Sequence, residues 1–529
     1  MTTTKPAGAR TAEPATGRTA GHTAEPATGR TAGHGRRSRA VVVGAGFGGL
    51  AIAIRLLADG HDVTVLERRA TLGGRASRIR ESGYTWDTGP SLITMPWLFD
   101  ELFRIGGSSL HAELRLHELD PLYRIGWTGD PRHFDFTRDV DGLRRGVAAF
   151  DPHDAANLDR FIVATRAIHE RAILRYGRVP FTRAVDFAAL LPEMVRLDAI
   201  RPLSSFVGRY FDEPHVRQVF DFHSLFIGGD PARVPAIYAA LVYLQIADGA
   251  WYAEGGVFSV VEAMARLVTR GGGTIVTGDG AAEVVRGGGR VRAVRTDSGA
   301  EIPADIVVFN GDIADRAALV PGARDRLPWR LRPLRTTMSA YLLYLGTDRT
   351  FPQLLHHTLV VGDDYAGFIR EVTRDRTLPT SFNVYIHAPT RTEAAMAPPG
   401  GDSLTVLLPV ANLRSGDDWT AVAPVLRERL VDWLEGPAGL AGLRRSIVVE
   451  RSWTPLTFRD VLGTADGSAF AVEPTLQQSA YFRQPNRDRV VGGLYYVGGA
   501  THPGAGLPGT LLTAEVTAGL VRDDARAGR

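Results

Sequence analysis

"VVVGAGFGGL", residues 41–50, decides the fold. A short β-rich run ends at Gly44, and Gly44, Gly46 and Gly49 then follow a G-x-G-x-x-G spacing. The three glycines have separate tasks: a tight turn, close approach of backbone to a pyrophosphate, and close packing of a helix on a strand. The helical pattern Leu50, Ile52, Ile54, Leu56, Leu57 comes next, and then a second β-rich run, Val63–Leu66. That order is strand, turn, helix, strand. The N–H groups that open the helix, beginning at Phe47 and Gly48, are free to meet an anion. Glu67 closes the second strand 23 residues after Gly44, where a ribose-hydroxyl acceptor belongs. Glycine-rich turns are common, but in this setting the loop reads as a dinucleotide site.

The continuation "ERRATLGGRASRIRESGYTWDTGPSLI", 67–93, separates a flavin dinucleotide from a nicotinamide one. After Glu67 and Arg68, the residues Gly73, Gly74 and Arg75 give a second flexible turn and a cation beside the diphosphate, where a simple NAD domain runs on into helix. Asp87, Gly89 and Pro90 follow a hairpin-like stretch and are expected to turn back toward the cofactor, read as FAD.

Composition excludes several other classes. The first 39 residues hold seven basic side chains against two glutamates, whereas the rest holds 54 basic and 56 acidic ones. The basic sequence pI thus comes from the tail, and no electrostatic footprint for nucleic acid is left on the body. No apolar run approaches the roughly 18 residues of a membrane span, and no signal-peptide core precedes the fingerprint, so a cytoplasmic protein is expected. The chain has no cysteine, which excludes disulfides, thiolate metal sites and a redox thiol pair. Redox chemistry must then belong to a bound cofactor, and no metal site is expected.

"TAEPATGRTAGH" occurs at 11–22 and again at 23–34. This tandem low-complexity repeat has almost nothing to bury, so 1–39 reads as a disordered tail in which His22 and His34 merely accompany the repeat. From about 110 to 250 the spacing is mainly helical. The stretch 272–312 alternates like a β-meander followed by one more buried strand. Sheet segments early, midway and late predict an α/β protein with a discontinuous Rossmann-like domain, 40–105, 255–345 and 466–529, whose parallel sheet carries the meander. An inserted α+β domain, 106–254 and 346–465, would face substrate and membrane.

Several longer stretches accompany the fingerprint: "RQVFDFHSLFIGGDP" (217–231), "WYAEGG" (251–256), "LLHHTLV" (354–360), "YIHAPT" (385–390), "GSAFAVEPTLQQSAYFRQPNRD" (467–488) and "GGATHPGAGLPG" (498–509). In this order they resemble the bacterial-type phytoene desaturases, FAD-dependent carotenoid desaturases of the amine-oxidase-like flavoprotein superfamily, over about 40–525. The resemblance implies that 498–509 is a second flavin clamp containing Gly498, Gly499, Thr501, Pro508 and Gly509. Glycine lets backbone lie against a ring without a Cβ clash, and Pro508 sets φ for the first turn of the following helix. That helix start would face the pyrimidine side of the flavin, where negative charge grows on reduction.

The same resemblance implies removal of hydrogen from a C40 isoprenoid polyene, peripheral association with the inner face of the cell membrane, and reoxidation by oxygen or a quinone. Segments 187–211 and 234–246 are candidates for the membrane face. His223, Asp230 and His502 are candidate proton carriers, with a bracing role for His502 the alternative. Family members commonly carry an acidic residue where Gln245 stands and Asn where Asp230 stands, so the base stays open. Competing readings are a desaturase or oxidase of a later or hydroxylated carotenoid, an amine oxidase, and a non-catalytic prenyl-lipid carrier. The carrier reading expects degenerate glycine loops, which this chain does not have.

Overall fold

The computed structural model describes residues 37–312, 316–320 and 334–528. The tandem repeat, with His22 and His34, lies outside them. The apolar runs flanking the fingerprint form a five-stranded parallel sheet in the order Leu494–Tyr496, Ile306–Phe309, Arg39–Val43, Asp62–Glu67, Thr274–Thr277. Val41 sits opposite Val307 on one side and Thr64 on the other. Fully parallel strands need cover on both faces. Helices Phe47–Ala58, Val257–Arg270 and Leu507–Arg526 supply one cover, sharing a core with Val42, Val65 and Val308. A three-stranded antiparallel sheet, Ala281–Gly287, Arg290–Thr296 and Glu301–Pro303, lies on the other, where Val284 and Val294 meet Val41 and Val307.

The stretch 272–312 therefore divides differently from the simple meander expected. Its first strand, Thr274–Thr277, joins the edge of the parallel sheet, and the meander proper begins at Ala281.

The second sheet has seven strands in the order Ile447–Trp453, Ser339–Thr347, Asp402–Val410, Asn383–His387, His357–Val361, Tyr123–Trp127, Asp130–Phe136. Two strands thus arise inside the stretch expected to be mainly helical. Their signal is the alternating burial of Tyr123, Ile125 and Trp127, with Gly129 at positive φ in the turn. Ser339–Thr347 is buried along its whole length in this sheet, so the middle segment expected to run to 345 in the cofactor domain gives its last strand to the other sheet. Helix Trp419–Glu435 packs on one face through Leu426 and Leu430.

Helices Pro152–His169, Pro214–Asp221 and Ala240–Asp248 build a third cluster against the Tyr123–Phe136 hairpin. The segment 187–211, read as amphipathic helix, is broken into short helices at Ala184–Ala188, Leu191–Arg196 and Leu203–Val207. Pro192 opens the second and Pro202 precedes the third, as expected of a residue that cannot continue a helix interior. No helix among the described residues is long and apolar enough to cross a membrane.

Candidate active site

The fingerprint loop is held closed by its own backbone. Gly44, at φ +97°, donates its N–H to the Leu66 carbonyl at 2.7 Å. A Cβ on Gly49 would stand 1.9 Å from the Gly44 oxygen, so helix and strand meet only because that side chain is missing. Gly46 is the N-cap of Phe47–Ala58 with no side chain satisfying the first turn, whose N–H groups point outward. The Glu67 carboxylate is buried and accepts the N–H groups of Ala45 at 2.9 Å and Arg69 at 3.0 Å. It is thereby fixed at the rim with acceptor capacity to spare.

The Gly73–Arg75 turn packs on this loop. Gly73 donates to the Ala45 carbonyl at 2.9 Å, and its φ of +95° admits no ordinary side chain. Arg75 extends from the turn with Asp312 as its nearest acid, 3.8 Å away. Its Nε and one Nη are buried without hydrogen-bond partners. Burial depresses its pKa, opposed by Asp312, so the site holds an under-compensated cation. A diphosphate is the group that such a cation and the bare start of Phe47–Ala58 accommodate, and the residues present fit a flavin dinucleotide.

Asp87 does something else. Its carboxylate accepts the N–H groups of Val257 at 2.9 Å and Phe258 at 3.2 Å, capping helix Val257–Arg270. It lies behind the cavity wall, which Thr88, Gly89 and Pro90 do line.

The C-terminal loop closes on the fingerprint. Gly498, at φ +99°, donates to Thr513 Oγ1 at 3.1 Å. A Cβ on Gly48 would lie 3.2 Å from the Gly498 nitrogen and 2.5 Å from Asn310 Oδ1. Asn310 therefore sits between the two loops, and its Nδ2 reaches the Gly44 carbonyl at 3.3 Å. The sequence reading missed it; the available signal was one amide ending the apolar strand "IVVFN". Arg483 donates to the Gly499 carbonyl at 2.6 Å, and Asn486 to the His502 carbonyl at 2.9 Å. Thr501 is buried behind the loop, bonding back to Val497 and Gly498. Gly506 opens Leu507–Arg526 without a side-chain cap, and Pro508 stands in its first turn.

Both loops line one continuous cavity of about 890 Å³, large for a small-molecule site. Gly44, Gly46–Gly48, Glu67, Arg68, Gly73–Arg75, Gly498, Gly499, Pro508 and Gly509 line one part of it. Phe222, Phe226, Leu241, Leu244, Leu359 and Leu407 line another. The acids in the wall are Glu67, Asp297 and Asp312, near the fingerprint, Arg68 and Arg75 respectively.

The candidate proton carriers do not converge. His223 is fully buried outside the wall, its Nε2 2.8 Å from the Tyr123 hydroxyl, which donates in turn to Gln245 Oε1 at 2.8 Å. Burial pushes the His223 imidazole down to about 3, so it is neutral. Asp230 is also outside the wall, paired to Arg374 at 2.6 Å and accepting the Ala232 N–H. Gln245 does line the cavity. So does His502, whose Nε2 donates to the Val179 carbonyl at 3.0 Å and whose ring meets Phe181 edge-on. Burial brings its pKa down to about 4.

Comparison with known proteins agrees with this geometry. Residues 47–522 match the model of the family described as flavin containing amine oxidoreductase. The chain is 37% identical over 488 residues to the phytoene desaturase (lycopene-forming) of Pantoea ananas, covering 91% of this chain and 99% of that one. It is 33% identical to the zeta-carotene-forming phytoene desaturase of Myxococcus xanthus, covering 90% and 92%. An oxidoreductase from Methanosarcina mazei shares the fold at a TM-score of 0.61 and 18% identity, covering 90% and 98%. The chain belongs to the flavin containing amine oxidoreductase family and, within it, to the carotenoid desaturases, FAD-dependent oxidoreductases acting on CH–CH bonds.

Proposed function

We propose that this protein desaturates phytoene in successive steps toward lycopene. The observation that carries the reading is the continuity of the cavity, which runs without a partition from two glycine loops into a wall of aromatic and aliphatic side chains. FAD, when bound, supplies the hydride acceptor at flavin N5. Glu67 would take the ribose hydroxyls, the start of Phe47–Ala58 would meet the diphosphate with Arg75 compensating its charge, and the start of Leu507–Arg526 would serve the pyrimidine side. The segments 40–105, 255–345 and 466–529 act as the cofactor-binding part, less the strand from Ser339, and 106–254 with 346–465 as the substrate-binding part. Phe222, Phe226 and Leu244 exclude water and align the polyene.

Each round would pass a hydride from one carbon to the flavin and release the proton of its neighbour to solvent, the electron pair of that second C–H bond becoming the new double bond. His502 serves as a brace between the loop and Val179, since a buried imidazole with a pKa near 4 is a weak base at neutral pH. His223 and Asp230 hold the fold around Gln245 and Arg374 and are not the base. Electrons leave to oxygen or a quinone, and the protein works at the inner membrane surface.

Expression in a bacterium that accumulates phytoene tests this, with extracted pigments separated by chromatography. Products with longer chromophores are expected, and their absorption gives the number of steps. Unchanged phytoene beside flavin-loaded protein would move the substrate to a later carotenoid.

A further inference from the structure

Three histidines unused by the reading above meet inside the seven-stranded sheet. His357 begins one strand and His387 ends its antiparallel neighbour, directly opposite in register, so their side chains share a face. His356 precedes the first strand and bonds through its carbonyl to the Ala388 N–H at 2.9 Å. All three are buried, and one ring nitrogen from each lies within 4.8 Å of the other two. The Nε2 atoms of His356 and His387 are 3.2 Å apart. Two nitrogens on a tetrahedral zinc with bonds of about 2.0–2.1 Å stand roughly 3.3 Å apart.

The remaining nitrogens are arranged as outer partners of metal ligands usually are. His357 Nδ1 is 2.7 Å from the Tyr385 hydroxyl, and His356 Nδ1 is 2.6 Å from Thr392 Oγ1. An ordinary hydrogen-bonded cluster accounts for the His356–His387 contact, but it leaves the buried Nε2 of His357 with no partner. A neutral imidazole keeps one ring lone pair for a metal ion. The nearby cation Arg391 is already engaged with Asp402.

We propose that His356, His357 and His387 form a buried site for one divalent transition-metal ion, of which zinc best suits three neutral imidazoles. The third imidazole closes on the ion by side-chain rotation, leaving a fourth position for water. The ion ties the two strands together and, through the His357–Tyr385–Ser91 hydrogen bonds, braces the cavity wall that Tyr385 and Ser91 form.

The untagged full-length flavoprotein, produced with zinc in the medium and purified without chelator, is analysed for metals. One divalent ion per chain is expected, with an X-ray absorption edge fitted by three imidazoles. His357→Ala and His387→Asn should lose the ion while keeping their flavin absorbance. If the variants do not fold, the edge spectrum of the unaltered protein still counts the ligands. Trace metal only, with none retained after equimolar zinc is supplied, overturns the proposal. So does a bound ion with fewer than three imidazoles, or one that both folded variants keep.

Discussion

Gly49 and Gly126 differ in one respect that matters. The space for a Cβ at Gly49 is filled by the backbone oxygen of Gly44, while a Cβ at Gly126 meets nothing within 4 Å. Gly49→Ala must lift the helix Phe47–Ala58 from its strand, so the purified protein should carry at least about tenfold less flavin, read as the 450 to 280 nm absorbance ratio. Gly126→Ala should stay within about 0.5 kcal/mol of the parent. Equal flavin content in the two variants would refute the cradle. The role of Gly49 was legible because its clashing partner lies five residues away. Asp87 was not legible, since the helix it caps begins 170 positions further on and a carboxylate after a hairpin looks the same as cap or ligand. Burial raises Asp87 to about 7 in the folded chain, against about 3.9 unfolded. The folded state thus keeps a proton that the unfolded chain has lost between those values. That stability is full below about pH 4 and is lost as pH rises through 7. Asp87→Asn removes this slope. Urea unfolding at pH 5 and pH 8 should show a smaller difference for the variant than for the parent.

At the level of elements, the two glycine loops were readable to different depths. The first is locked by contacts within its own strand–turn–helix unit. The second depends on side chains delivered from elsewhere: Asn310 from a strand end, and Arg483 and Asn486 from an irregular stretch. Asn486 Nδ2 also reaches Thr517 Oγ1 at 3.1 Å, joining the loop to the helix Leu507–Arg526. Asn486→Ala strands a buried His502 carbonyl and costs about 1–3 kcal/mol. The expected result is a native far-ultraviolet spectrum with flavin that dialyses away faster. Unchanged retention would mean that the loop holds its shape unaided. The Tyr123–Phe136 hairpin escaped for a related reason. Its two strands pair locally with each other, but only Tyr123–Trp127 is anchored to the sheet, on His357–Val361 more than 200 residues away, and Asp130–Phe136 is an edge strand.

For the molecule as a whole, the proposed entry of a lipid substrate from the membrane rests on one stretch that serves two surfaces. Ile173, Tyr176, Phe181 and Leu190 line the cavity, while Leu174, Val179, Val185 and Val195 among them are exposed at 42%, 42%, 56% and 66%. Arg175, Arg183 and Arg196 are exposed in the same segment. Apolar tips beside arginines suit the headgroup boundary of an anionic bilayer. The sequence reading had offered 187–211 and 234–246 for this role. The second is core: Val242 is fully buried, and Leu244 faces the cavity. A short helix that is apolar on most sides reads alike whether it meets lipid or protein, and only packing separates the two. Burying two exposed valines in lipid contributes about 2–3 kcal/mol, so Val185→Asp with Val195→Asp should weaken vesicle binding tenfold or more. Flotation with vesicles containing phosphatidylglycerol reads this directly, and binding by the parent should fall as salt rises. Flavin content should not change. Conversion of phytoene carried in vesicles should fall further than conversion of detergent-dispersed phytoene, because only the first requires the bilayer contact. If the double variant floats like the parent, the substrate enters by another face, and the exposed valines are ordinary surface.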